Sequence, residues 1–362
     1  MGDAGTTSAF YAPRPRISVA GREVPELAAG LLEMSIEETT AGLFSCEASF
    51  GNWGSVPGGV GFLYFDRRLL EFGAPLAIIM GESDTVAPVF EGRITALEGR
   101  YPRQRPPELQ VLAEDRCQDL RMVRRTRTFE DVSDRDVFRD IAGEHGLTPE
   151  LDIDGPTYKT LAQVNQSDLA FLRERARAID AEVWVEGTKL FAQVRTRRKA
   201  AAPVTLTYGH GLREVTATAD LANQRTRLAV GGWNVAAKQA IDEAADDAAV
   251  SNELGGRTSG GRLLREKFGE RAERVVHTVP LTDEEARAVA QAEYRAIARR
   301  FLIAEGIADG DARLKVATEV TLGGLGPLFD GPWYVTAVRH TFDMRNGYSS
   351  RFWCERPGLG TS

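Results

Sequence analysis

Residues 165–176 read Asn165-Gln166-Ser167-Asp168-Leu169-Ala170-Phe171-Leu172-Arg173-Glu174-Arg175-Ala176, and residues 182–191 read Glu182-Val183-Trp184-Val185-Glu186-Gly187-Thr188-Lys189-Leu190-Phe191. Ser167 and Asp168 predict a helix start: the side-chain oxygens satisfy free amides of the first turn, and the acid opposes the helix dipole. Leu169, Leu172, Ala176 and Ile179 then share one face, while Arg173, Glu174 and Arg177 face water. The second run predicts a β-hairpin, with Gly187 supplying the positive φ of its turn. Upstream, Ser133 with Asp136 predicts another capped helix, with Val137, Ile141 and His145 at i, i+4, i+8 and Gly146 as its stop. Residues 116–202 thus form a helix-helix-hairpin α+β module.

Outward from this module the chain reads as β structure. Ile17 and Val19, then Leu32, Met34 and Ile36, then Phe44, Cys46, Ala48 and Phe50 alternate with polar or small residues, as half-buried strands do. Gly51, Gly54, Pro57, Gly58, Gly59 and Gly61 read as a loop. Leu76 to Met80, Val89 to Leu97 and Leu109 to Ala113 are further strands, and many short strands divided by turn residues suggest a sandwich or barrel. After a basic stretch, strands are expected over 204–208, 212–219 and 226–233. Residues 236–310 read as a helical insert: Lys238 to Val250 is Ala-rich, 252–261 is a Gly-rich segment expected to be mobile, and Thr282 with Glu285 caps a long helix whose buried stripe is Ala286, Ala290, Tyr294, Ile297 and Phe301. Leu314, Val316, Thr318, Val320 and Leu322 alternate, and Trp333 to Phe342 and Tyr348 to Glu355 form a hairpin about Asn346-Gly347.

The chain's 362 residues carry 45 Lys and Arg against 52 Asp and Glu, a net charge of −7, which gives no general attraction to phosphate backbones. Arg124, Arg125 and Arg127, and Arg195, Arg197, Arg198 and Lys199, are short clusters read as solvated surface or partner contact. No nucleic-acid and no membrane partner is expected, since the most apolar run, Ala74 to Met80, is far shorter than the roughly 20 residues of a membrane span. Met1 to Pro15 has no apolar core and carries Asp3, so a secretory signal is not expected and synthesis is placed in the cytoplasm.

Convergent chemistry is missing from the sequence. Cys46, Cys117 and Cys354 and His145, His210, His277 and His340 are scattered, without the paired spacing of a zinc site or a disulfide framework. Gly323-Gly324-Leu325-Gly326 lacks the Lys-Ser/Thr of a phosphate loop, and Gly58-Gly59-Val60-Gly61 precedes no helix. Asp242 and Asp246 read as a solvated helix face, and Asp152 and Asp154 as a polar turn lacking the other ligands of a calcium loop. The expectation is no catalytic residue, no cofactor and no metal. Trp53, Trp184, Trp233, Trp333 and Trp353 read as core or interface packing.

Four stretches in order resemble one family. Residues 165–176 with the 183–191 hairpin resemble the SD-x-x-FL-x-R unit of the VgrG and phage late-control protein D family, whose motif residues here are Ser167, Asp168, Phe171 and Leu172. Asp131 to Leu147 resembles that family's first insert helix. Val230-Gly231-Gly232-Trp233-Asn234 with Lys238-Gln239 is similar to its next strand and turn, through Gly231 and Trp233. Gly324 to His340, continued by Gly347, Tyr348 and Phe352, resembles its closing hairpin, through Gly326, Gly331, Tyr334, His340, Gly347 and Tyr348. The resemblance spans about residues 115–356.

What it implies is an α+β, predominantly β fold with two related antiparallel, tube-like β-barrels carrying inserted α+β and helical modules. The first barrel would take residues 1–115, completed by about 203–220; the second, 221–235 and 311–356; residues 357–362 would be a tail. It also implies a non-enzymatic baseplate hub of a contractile phage tail or injection system. Such a hub is a homotrimer that adapts the sixfold inner tube protein to a threefold spike and contacts other baseplate components, and Ser167 and Asp168 act in it as helix caps. Because only Pro357 to Ser362 follow the last strand, the spike is expected on a separate chain. The competing expectations are a tail-associated cell-wall or glycan hydrolase with carboxylates drawn from distant positions, or a carbohydrate-binding adhesin using the tryptophans.

Overall fold

In the computed structural model, which describes residues 14–81, 86–200, 202–235, 237–276 and 278–360, the strand Gly331–Asp343 is the piece the rest is built around. Along one side its start pairs with Glu319–Gly323 and its end, from Ala337, pairs with Leu31–Thr39. Its other side pairs with Gly347–Arg356. One strand therefore belongs to two sheets. Strands hold 50% of the residues and helices 20%, so the predominantly β, α+β class is the one adopted.

The first of the two sheets is a closed six-stranded barrel. It runs Gly331–Asp343, Glu319–Gly323, Val204–Tyr208, Gly211–Ala219, Leu302–Asp309 and Gly347–Arg356, then returns to Gly331–Asp343. Closure leaves the backbone no free edge there. Val204, Leu302, Leu322, Trp333, Val335, Val338 and Phe352 fill the interior. Gly306 lies opposite Phe352 in the ladder, and a Cβ on it would come within 2.5 Å of the Phe352 ring, so glycine lets that ring fold over the neighbouring strand.

The second sheet continues from Leu31–Thr39 through Ser45–Gly51, Glu108–Glu114, Ala87–Arg100, Pro75–Met80 and Arg16–Val19 to Arg22–Glu23 at its edge. Among the described residues no pairing closes it. Its core holds Ile17, Leu27, Phe50, Leu70 and Ile78, and Phe342 and Tyr348 from the barrel's terminal hairpin reach into it. Residues 1–13, the span of the Asp3 reading, lie outside the described residues, as does His277.

Two inserts branch from these sheets. One contains the helices Asp134–Glu144 and Asp168–Ala178, the ribbon Arg124–Ser133 with Thr157–Ser167, and the hairpin Ala181–Glu186 with Lys189–Val194, to which Thr148–Asp152 adds in parallel. Its own core is built from Phe138, Ile141, Leu169, Phe171, Leu172 and Leu190, with others. In the other, helix Asp283–Arg299 lies on a sheet of Gln239–Ala245, Arg227–Asn234 and Ala272–Val275, burying Ala286, Ala290 and Tyr294 against Val230 and Ile241.

Several expectations are corrected. Residues 204–219, assigned to complete the first barrel, pair instead with 302–309 and 319–323, and the barrel they build is not purely antiparallel, because Val204–Tyr208 runs parallel to both its neighbours. Strand 227–234, assigned to the second barrel, sits in the second insert. Residues 236–310 are not a helical unit: Gln239–Ala245 is a strand and Leu302–Asp309 is a barrel stave. Within residues 252–261, Asn252, Gly255 and Gly256 are exposed, while Ser259 caps helix Gly260–Phe268 and Gly260 and Gly261 are buried against Phe301 and Tyr294. The glycine-rich loop at 51–61 contains the hairpin Trp53–Val56 with Gly59–Phe62. Leu31, not Leu32, joins Met34 and Ile36 in the core, because a bulge between Leu31 and Glu33 shifts the alternation. Leu314 and Val316 are buried but precede the strand, which starts at Glu319.

Candidate functional site

The helix starts fall where the sequence places them. Ser167 Oγ accepts from the Ala170 amide, and Ser133 with Asp136 forms a reciprocal capping box. Thr282 Oγ accepts from Glu285 N, whereas the Glu285 carboxylate accepts from Leu281 N. Ser167→Ala should therefore cost about 1 kcal/mol of stability by urea denaturation and leave the oligomeric state unchanged. An unchanged unfolding curve would contradict the capping role.

Asp168 does more than oppose a dipole. Its buried carboxylate accepts from Gln163 Nε2 at 2.9 Å and pairs with Arg127 at 2.9 Å, Arg125 at 3.3 Å and His145 Nε2 at 2.8 Å. Burial alone would raise its pKa, but the hydrogen bonds from His145 and Gln163 and the charges of Arg127 and Arg125 hold it below the ordinary carboxylate value. The head of the second helix is thereby pinned to the end of the first. Phe171 and Leu172 lie in the module's core, Phe171 stacked on Phe129.

The other motif residues fall in two groups. His340 is buried: its Nε2 donates to the Leu314 carbonyl at 3.0 Å, which leaves Nδ1 as an acceptor facing the Tyr348 and Ser350 hydroxyls, both at 2.9 Å. Burial brings its pKa down to about 4. Gly326, Gly331 and Gly347 have φ of 85°, 114° and 70°, values that favour glycine, and Asp343 pairs with Gly347 across the terminal turn. Gly231 and Trp233 lie on the second insert's central strand. A Cβ at Gly231 would strike Arg274, and Trp233 is half exposed.

Tyr334 leads to the densest polar site. Its hydroxyl donates to Glu182 Oε2 at 2.7 Å, and the Arg195 guanidinium lies 4.2 Å from its ring centroid. Arg198 also bonds Glu182, at 2.8 Å, and covers Trp184. Arg195 reaches Glu355 at 2.6 Å. Beside this group, Arg299 at the end of helix 283–299 is 2% exposed and bonds both oxygens of Asp180, one at 2.8 Å, and both oxygens of Glu253 at 2.8 Å. Burial would lower the Arg299 pKa, but Glu253 and Asp180 outweigh it and hold it above its ordinary value.

This cluster is the meeting point of the first insert (Asp180, Glu182, Arg195, Arg198), the second insert (Glu253, Arg299) and the barrel (Tyr334, Glu355). Three separately cored units are joined there by charge-assisted bonds, of which those between Arg299 and Asp180 and between Arg198 and Glu182 are buried. The basic run at 195–199, read as surface or partner contact, is thus split: Arg198 is buried and Arg195 partly buried in the junction, while Arg197 pairs with Asp152 and Asp154 at the surface. Asp180, Glu182 and Arg299 carry no local sequence signal, because the Arg299–Asp180 partners are 119 residues apart.

Chemistry of other kinds is thin. No group of three or more His, Cys, Asp or Glu among the described residues is placed to hold a metal ion, and no helix among them is long and apolar enough to cross a membrane. The three cysteines are buried and free. Asp242 is on a strand facing Arg274, not on a helix with Asp246. Trp184 and Trp333 are buried, but Trp53 is half exposed on its hairpin, edge-on to Phe62.

The architecture is shared. The chain is similar to the 43 kDa tail protein of prophage MuSo2 from Shewanella oneidensis, at 13% identity and TM-score 0.67, covering 95% of this chain and 98% of that one. It is similar to a tail protein from Neisseria meningitidis MC58, at 11% identity and TM-score 0.68, over 97% and 98%. An Escherichia coli component of the type VI secretion system, itself described as structurally similar to T4 bacteriophage tail proteins gp27 and gp5, aligns at 11% identity and TM-score 0.56, over 97% and 80%. At these identities the likeness is one of fold: a tail-protein fold. No curated protein matches the chain in sequence. The family model described as Alg8 N-terminal domain matches residues 54–343, and so the chain belongs to the Alg8 N-terminal domain family.

Proposed function

We propose that the chain is a structural, non-enzymatic hub of a tail or injection-system baseplate, of the VgrG and late-control protein D kind. It works as a homotrimer that adapts a sixfold inner tube to a threefold spike and contacts other baseplate components. The observation that carries this reading is the strand Gly331–Asp343, shared by the closed barrel and the second sheet. In this reading the open second sheet is the counterpart of the barrel, so that three copies would present six such units to a tube on one face and threefold symmetry on the other. The likeness of fold to tail proteins over almost the whole chain supports it.

The mechanism is rigid-body. A hub that transmits force when a sheath contracts must not let its inserts slide on its barrels, and the Asp180–Arg299–Glu253 and Glu182–Arg195–Glu355 bonds tie them together. Light scattering on the purified protein tests the oligomeric state: three times the chain mass is expected, and a monomer at high concentration would contradict it. Release of sugars or peptides from peptidoglycan would favour the hydrolase reading instead, and quenching of Trp53 by glycans the adhesin.

A further inference from the structure

The geometry points to an oxyanion-binding site between Arg257 and Arg356, in a cavity whose far wall is formed by the junction residues Arg195, Glu253, Arg299 and Glu355. The two guanidinium groups converge on the same place: a Cβ on Gly331 would lie 3.2 Å from Arg257 Nη2 and 3.4 Å from Arg356 Nη1. Like charges are brought this close only at a cost, unless an anion lies between them. Among the described residues no carboxylate forms an ion pair with either.

Of the three glutamates on the cavity wall, Glu319 lies on the strand paired with Gly331–Asp343 and forms no ion pair with either arginine, and the other two are engaged elsewhere. Glu253 is held by Arg299 and Glu355 by Arg195. The Asp330 carboxylate accepts from the Leu325 amide. Arg356 donates only to the Asp330 and Leu328 carbonyls, at 3.0 and 2.7 Å. Its Nε is buried with no acceptor, and the residue is 4% exposed. Arg257 reaches only the Leu254 carbonyl, at 3.3 Å.

The site is also shaped. Both arginines line a cavity of about 530 Å³, whose wall includes Trp333 and Lys199, and the Arg356 guanidinium stacks 4.3 Å from the Trp333 ring centroid. That stacking fixes the plane of the fork, and a planar, oriented guanidinium is what binds carboxylate or phosphate oxygens in pairs. The absence of a side chain at Gly331 leaves the approach open. Burial and the Arg257 charge bring the Arg356 pKa down to about 10, a strain that a bound anion would relieve.

The ligand class is a compact oxyanion, supplied by an acidic side chain of another polypeptide or by a free ion of the same chemistry. Thermal unfolding of the full chain at constant ionic strength tests this, replacing chloride with inorganic phosphate or with a hexaglutamate peptide. Phosphate should raise Tm by about 2 °C over chloride, and Arg257→Gln, at a partly exposed position, should abolish the rise while still folding. A matching rise with hexaglutamate assigns the site to an acidic polypeptide, and a rise with phosphate alone assigns it to a free ion. No rise in the wild type, or an equal rise in Arg257→Gln, overturns the proposal. Arg356→Lys keeps the charge but loses the fork, and should weaken phosphate binding about tenfold by calorimetry. An undiminished affinity would also count against it.

Discussion

Asp180→Asn is expected to lower the free energy of unfolding by about 3 kcal/mol, because the buried Arg299 loses one of its two carboxylate partners. Arg299, 2% exposed, would keep only Glu253 as a charged partner. Asparagine tolerates the φ of 55° that Asp180 adopts, so the loss reports the charge and not the backbone. Adding Glu253→Gln, which removes the remaining carboxylate from Arg299, should deepen the loss, because the buried guanidinium is then without a charged partner. Urea denaturation with linear extrapolation measures both. The same substitution should speed hydrogen exchange in the helix Asp168–Ala178 more than in the barrel strands, because the insert is what the junction holds. A loss below about 0.5 kcal/mol, the size of an exposed pair, would mean that the junction does not lock the units.

The second large effect is acid sensitivity at His340. Its folded pKa, about 4, lies below the unfolded value of 6.5. Above pH 6.5 both states are neutral and the residue adds no pH dependence. Between 6.5 and 4 the unfolded chain takes up a proton that the folded core refuses, so stability falls as pH falls, by roughly 3 kcal/mol over the window. Glu38, raised to about 7 chiefly by burial, and Asp115, raised to about 6 for the same reason, act with opposite sign: their folded forms hold protons more tightly, so their contribution falls as pH rises. The His340 contribution is therefore read as a difference. His340→Gln should cost stability at pH 7 and much less at pH 4, the gap to wild type closing by roughly 3 kcal/mol. Parallel curves would contradict the assignment.

What was legible in the sequence was local. Ser133, Ser167 and Thr282 announce their helices because capping is settled within one turn of chain, and the Gly187 and Asn346-Gly347 hairpins follow from φ requirements of single residues. What was not legible was settled by distant partners. Lys238 to Val250 reads as helix because alanine favours helices. The strand Gln239–Ala245 forms because Arg227–Asn234 offers it a ladder and helix 283–299 covers Ile241 and Ala245. Nothing within Val204–Tyr208 says that it will pair with Glu319–Gly323 and not with the second sheet. The bulge that turns Leu32 outward is likewise invisible to strict alternation.

The candidate site divides in the same way. The recurring residues Ser167, Asp168, Tyr334 and His340 could be picked out, and each has a definite place in the structure. The junction they border could not, because Asp180, Glu182, Glu253 and Arg299 meet only once three units have folded against one another. Arg195 and Arg198 left a trace in the sequence as part of a basic run, but such a run reads as surface until its carboxylates are found.

The central claim is that one chain supplies two barrel-like units and three chains make a ring. Electron microscopy of the purified protein tests it most directly. The account predicts ring-shaped particles whose rotational averages show threefold symmetry, with six barrel-sized densities around an open lumen. Single compact particles, or rings of any other symmetry, would contradict it.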